Sequence, residues 1–185
     1  MARPRTFNEE DVLQRAMELF WRQGYRATTM QDLVRVTGVQ RNSLYRIFGN
    51  KAAIFQQILD RYGAWRIGKL DMSQPPRDLI RQWLMACADE ARAGTTPRGC
   101  LLVLSSTEMH ALEPAVRAVV QTHLDQLEQF FTTCVRSAAP DADAEAIGAA
   151  LLAADIGLFL MSHAGASPER LTSIVERTLY LIPNA

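Results

Sequence analysis

The chain between Thr29 and Lys51 is punctuated so closely that only short helices fit it. Thr29 is followed three residues later by Asp32, the spacing of an N-terminal capping box. Gly38 stands where a helix can end in the left-handed conformation, and Gly49-Asn50 repeats a stop followed by a cap. Helices this short are unstable alone in water, so their apolar stripes must pack together. Met30, Leu33 and Val34 supply the stripe of the first, while Leu44, Ile47 and Phe48 supply that of the second. Val39 drops into the core between them, and the pattern predicts helix, tight glycine turn, helix. Upstream, Asn8 caps a longer helix whose first turn holds Glu9, Glu10 and Asp11, acids that complement the positive end of the helix dipole. Its buried side is Val12, Leu13, Ala16, Leu19 and Phe20, and it is expected to end near Gly24.

The helix opened by Gln40 is unusually polar for a piece of a small bundle. At about 100° per residue, with Leu44 at zero, Phe48 and Ile47 fall on the buried side and Asn42 and Arg46 at about 160° and 200°. Those two side chains point directly away from the core. Arg41 and Tyr45 take one flank, Gln40 and Ser43 the other, so the outward surface is made of hydrogen-bonding groups. A helix-turn-helix places such a surface in the major groove of DNA, where asparagine matches the adenine edge and arginine the guanine edge. Asn42 and Arg46 are therefore the expected base readers, with Gln40 or Arg41 joining them. Thr28, Thr29, Ser43, Tyr45 and Lys51 are the expected phosphate donors. Lys51 falls in the first turn of a fourth helix, where a cation is unfavourable unless an external anion compensates it.

Equal numbers of acidic and basic residues hide an uneven distribution. Residues 1–69 carry a net charge of +6 and residues 70–185 a net charge of −6, which points to a nucleic-acid-facing first part. The fourth helix runs through Ile54, Phe55, Ile58, Leu59 and Tyr62 toward Lys69. Further helices are expected at 76–93, 100–110, 113–137, 141–163 and 168–182, separated by Gly94-Thr95-Thr96-Pro97, Glu113-Pro114, Ala139-Pro140 and Ser167-Pro168. No strand or repeat pattern is present, so the fold class is all-α. Arg3 and Arg5 lead into polar residues where an export signal would need an apolar stretch. The run from Ala146 to Met161 is too short for a bilayer span and carries Asp155, so a cytoplasmic protein with no membrane partner is expected.

Residues 7–55 resemble the DNA-binding head of the TetR family of transcriptional regulators. The resemblance is carried by Ala16, Leu19, Phe20, Gly24-Tyr25, Thr28-Thr29, Leu33, Gly38-Val39, Ser43-Leu44-Tyr45, Phe48, Lys51 and Phe55. Gln40 and Asn42 depart from it, standing where the family commonly has serine and a small residue. The resemblance implies an N-terminal three-helix bundle with a helix-turn-helix, plus a C-terminal helical ligand-binding and dimerisation domain. The corresponding boundaries are 1–52 and 53–185. It also implies a homodimer on a double-stranded DNA operator, released by a small-molecule effector not identified by the sequence. The small residues Gly148, Ala149, Ala150, Ala153, Ala154 and Gly157, with Leu171, Ile174, Val175, Thr178, Leu179 and Ile182, are the expected dimer helices.

Bulky or polarisable residues at mid-helix mark a candidate ligand cavity: Trp65, Trp83, Cys87, Met109, Phe130, Phe131, Cys134, Phe159 and Met161. Cys100 is a separate candidate, a redox sensor, because Arg98-Gly99-Cys100 sets its thiol beside an arginine at a helix start, where a thiol pKa falls. His110, His123 and His163 are isolated, and no metal or cofactor is expected. Neither a phosphate loop nor a nucleophile elbow is present, so no enzyme is expected. The rival reading is a helical scaffold or ligand-binding protein whose N-terminal motif docks protein rather than DNA.

Overall fold

The computed structural model describes residues 7–93 and 99–183. The expected break Gly94-Thr95-Thr96-Pro97, the residue Arg98 and the basic Arg3 and Arg5 lie outside them. The described chain is helical throughout: α1 (Glu9–Ala27), α2 (Met30–Thr37), α3 (Arg41–Phe48), α4 (Lys51–Ile67), α5 (Pro76–Ala93), α6 (Leu101–Thr107), α7 (Pro114–Ala138), α8 (Ala144–His163) and α9 (Pro168–Thr178). Single 3-10 turns follow α6, at Met109–Ala111, and α9, at Leu179–Leu181. These turns account for the difference from the longer helices expected at 100–110 and 168–182. The helix expected from 141 starts at Ala144, because the Asp143 carboxylate caps it by accepting from Ala146 N.

The caps form as the residues dictate. Asn8 accepts from Glu10 N at 2.9 Å, Asn50 from Ala53 N at 2.9 Å, and Ser167 from Arg170 N at 3.3 Å. Thr29 and Asp32 make both halves of the capping box. Gly38 adopts φ 71°, a value open to glycine and costly for residues with a Cβ, and this lets α3 cross α2 with Val39 buried beneath the turn.

Phe20, Tyr25 and Phe55 form an aromatic cluster where α1 meets α4, with Phe55 5.1 Å from Phe20 and 4.9 Å from Tyr25. α4 then runs on past the three N-terminal helices to pack against α7. One buried apolar core therefore runs through the molecule, and α4 belongs to both of its halves. Alone among the described helices, α8 is long and apolar enough to cross a membrane. It packs against α7, α5 and α9, and its central Asp155 is fully buried.

Candidate nucleic-acid interface and effector cavity

α3 turns its faces as the helical angles require. Leu44 and Phe48 are buried, Ile47 is half-buried, and Gln40, Arg41, Asn42, Tyr45 and Arg46 are exposed. Ser43 is half-buried on the flank. Among the described residues the side chains of Asn42 and Arg46 are in no hydrogen bond or ion pair. Arg41 lies over the Tyr45 ring at 5.6 Å and donates weakly to its hydroxyl at 3.5 Å. A ridge of unspent donors is thus held on a helix whose inner face is fixed by packing.

Two expected phosphate donors stand differently. Thr28 is fully buried: its hydroxyl donates to Gly24 O at 2.7 Å and accepts from Gln23 Nε2 at 3.1 Å. The cause is Gly24, whose φ of 81° and ψ of 167° break α1 and fold its last turn back over Thr28. Lys51 needs no external anion. Its Nζ donates to Tyr25 O at 3.1 Å and Thr28 O at 3.0 Å and sits 4.0 Å above the Tyr25 ring. It thus joins the carbonyls at the end of α1, where Tyr25 O also accepts from Thr28 N at 3.3 Å. Thr29 is exposed, but its hydroxyl is used in the capping box, donating to Asp32 Oδ2 at 2.6 Å. That bond holds the Asp32 carboxyl below its usual range.

The rest of the molecule grips the same break. Glu108, which ends α6, accepts from Tyr25 N at 3.0 Å and Arg26 N at 3.3 Å. Glu113 accepts from the Tyr25 hydroxyl at 3.3 Å. Burial and then the Glu113 charge push the Tyr25 phenol well above its ordinary pKa. Neither glutamate was legible as functional, because their partners lie more than eighty residues away in sequence.

A cavity of about 70 Å³ opens between α4, α5, α6 and α7. Trp83 and Phe130 line it, as does Cys100. The other expected wall residues do not. Cys87, Phe131, Cys134 and Phe159 are packed in the core, and Met109 and Met161 are half-buried elsewhere. Trp65 is 46% exposed under Lys69, whose Nζ lies 3.7 Å from its ring centre. Helical spacing identified large side chains without revealing which face of each helix meets the cavity. Cys100 is also corrected: it is 3% exposed, and burial raises its thiol pKa, so the activated thiol expected from a helix start is not present.

Behind the cavity lies a buried polar cluster. Arg66 is 5% exposed, its guanidinium 4.5 Å from the Trp83 ring and 4.9 Å from the Phe159 ring. Glu90 faces it at 3.6 Å. Asp155 accepts from Trp83 Nε1 at 3.1 Å, and burial pushes its carboxyl up to about 7 against the opposing pull of Arg66. A raised native pKa means that the native state holds a proton the unfolded chain releases, so stability falls as pH rises from about 4 through 7 and levels off above. Asp155→Asn keeps the acceptor for Trp83 and cannot ionise. Its stability relative to the parent is expected to grow by about 3 kcal/mol between pH 5 and pH 8 in denaturant titrations. A constant difference across that range would mean that Asp155 stays ionised.

A fixed helix with an outward ridge of unspent donors, carried on a helical body with its own cavity, makes this a DNA-binding transcriptional regulator. Residues 12–58 match the model of bacterial regulatory proteins of the tetR family, and residues 77–177 match the tetracyclin repressor-like C-terminal domain. The HTH-type transcriptional repressor ComR of Escherichia coli K12 is 30% identical, over 98% of this chain and 91% of its own length. BdcR, another HTH-type transcriptional repressor of that organism, is 27% identical over 63% of this chain and 60% of its own. Among solved structures, a cysteine mutant of the TetR family transcriptional regulator CifR, complexed with 26-bp double-strand operator DNA, superposes with a TM-score of 0.85. It is 28% identical, with 98% of this chain and 100% of that chain covered. The chain belongs to the TetR family.

Proposed function

We propose that this regulator is a homodimeric repressor that leaves its operator when a small molecule occupies the cavity. Residues 1–52 act as the DNA-binding head and 53–185 as the sensing and dimerising body. The observation that carries the reading is the exposed, unpartnered pair Asn42 and Arg46 on α3. Support comes from the relatives ComR and BdcR, which are repressors, and from the similar CifR, whose cysteine mutant was captured on operator DNA.

Dimerisation is supported by the outer face of α8, whereas Gly148, Leu171, Val175, Leu179 and Ile182, expected at the dimer helices, are buried in the chain's own core. Ala146, Ala149, Ala153 and Leu160 are exposed along α8, and a side chain at Gly157 would meet nothing within 4 Å. Tyr180 and Leu181 continue this apolar surface at 76% and 45% exposure. A dimer on successive major grooves requires its two α3 helices to stand about 34–36 Å or a multiple apart. Such a regulator works in the bacterial cytoplasm, where the chromosome is. The route from cavity to head runs through α4, which carries Tyr62 and Arg66 at the cavity and Phe55 in the head's core, and through α6, which joins Leu102 to Glu108. A ligand releases DNA only by favouring a head arrangement that fits the operator poorly.

Selection of bound fragments from a random duplex pool tests this directly. A two-fold symmetric consensus is expected, and a protein that retains no duplex at low ionic strength would end the proposal. On the selected site, Arg46→Ala is expected to cost about 1–3 kcal/mol and to relax one base position per half-site. Uniform weakening across all sequences would remove Arg46 from base reading. Lys51→Ala is expected to weaken binding without changing the slope against log salt, because its ammonium is committed to Tyr25 and Thr28 carbonyls. A slope shallower by about one would place Lys51 on a phosphate instead.

A further inference from the structure

The polar atoms left open at the cavity restrict what can fill it. Tyr62 is 3% exposed and Arg66 5%, and both line the cavity. Both terminal nitrogens of Arg66 have no hydrogen-bond partner among the described residues, and the Tyr62 hydroxyl has only the Cys100 thiol, a weak acceptor, beside it. The rings of Trp83 and Phe159 lie close to the guanidinium without accepting hydrogen bonds from its terminal N–H groups, so the donors along its edge remain unsatisfied. Glu90 approaches that edge only to 3.6 Å, beyond hydrogen-bond distance. Leu59, Ile67, Leu127 and Phe130 make the rest of the wall mainly apolar, with His123 and Gln126 its other polar side chains.

A cationic ligand would find no anion on this wall, since neither Glu90 nor Asp155 reaches it. A planar anion suits it, because a guanidinium edge binds a carboxylate through two parallel hydrogen bonds and does so most strongly away from water. Asp155, its pKa pushed up to about 7 by burial, holds its proton below neutral pH and there competes weakly for Arg66. We infer that the effector is a small carboxylic acid with an apolar body, its carboxylate held by the Arg66 edge and the Tyr62 hydroxyl. This rests on the reading of the cavity as the effector site and adds the chemistry of what it takes. Both anchoring residues sit on α4, which follows α3 in the chain and packs on α1 in the head and α7 in the body, so the acid binds directly to the helix shared by the two.

Titration calorimetry on the full chain tests it with benzoate, phenylacetate and hexanoate against their primary amides, which match them in shape and lack the charge. At least one acid is expected to bind, with its amide weaker by about tenfold or more. Tyr62→Phe, which removes only the hydroxyl, and Arg66→Lys, which keeps the charge but loses the fork, are each expected to weaken that acid by about tenfold. Should Arg66→Lys fail to fold, Tyr62→Phe and the acid–amide comparison on the parent decide. The inference is overturned if no acid binds at millimolar concentration, if amides bind as tightly, or if the variants that fold bind like the parent. Operator affinity measured in the same samples separates the two readings. Acids that bind without releasing DNA would sink release and leave the acid site standing, while release by the amides alone would do the reverse.

Discussion

Gly148→Ala is expected to lower the thermal midpoint by about 4–8 °C, although alanine is the better helix former. In a free helix the exchange would be favourable by about 1 kcal/mol. Here α8 lies against α7 so closely that a Cβ at Gly148 would overlap Thr132 Oγ1 and sit 3.1 Å from both Thr132 Cα and Cβ. A side-chain oxygen can turn aside, but a helix backbone cannot. The two helices must therefore separate, opening gaps along a contact that buries Leu127, Phe131, Val135 and Leu151. Overpacking of this kind costs about 1–3 kcal/mol or more, and a net loss of about 2 kcal/mol gives the midpoint stated for a chain of this size. Thr132→Ala in the same background should restore only part of the loss, since it removes the oxygen and leaves the backbone contact. A midpoint equal to or above the parent's would mean that α7 and α8 lie farther apart than described.

Such tight contacts mark the limit of what residue spacing reveals. The faces of α3 follow from angles within a single helix, and Leu44, Phe48, Asn42 and Arg46 stand where that arithmetic puts them. Helix starts at Pro76, Pro114 and Pro168 follow equally from local residues, as proline fits the first helical turn. Thr28 could not be placed this way, because its burial depends on how sharply Gly24 breaks the chain. The local position of Lys51 points to an external anion because its carbonyl partners, at the end of α1, lie 23 and 26 residues upstream. Cys100 shows the same limit. Its sequence neighbours favour a thiolate, and the surroundings that oppose one come from distant helices. Arg66 and Asp155 each interrupt an apolar helical stripe, which was a usable sign of a buried polar cluster.

The break at Gly24 is where the C-terminal body holds the head, and its disruption is expected to cost more than the loss of Glu108 alone. A backbone at φ 81° and ψ 167° is almost closed to residues with a side chain, at a cost of about 1–3 kcal/mol. A Cβ there would also overlap the Glu108 carboxylate, which accepts from Tyr25 N and Arg26 N. Displacing the carboxylate forfeits charge-assisted hydrogen bonds worth about 1.5–3 kcal/mol. Gly24→Ala should thus lose about 4 kcal/mol, and Glu108→Ala, which removes the grip without straining the backbone, about 2 kcal/mol. Both are expected to reduce operator affinity several-fold in anisotropy titrations, because a head released from Glu108 samples orientations that miss the groove. Because Gly24→Ala already dislodges Glu108, adding Glu108→Ala to it should cost little more. Two losses that sum in full would mean that the sites are independent and that Glu108 is not what anchors the head.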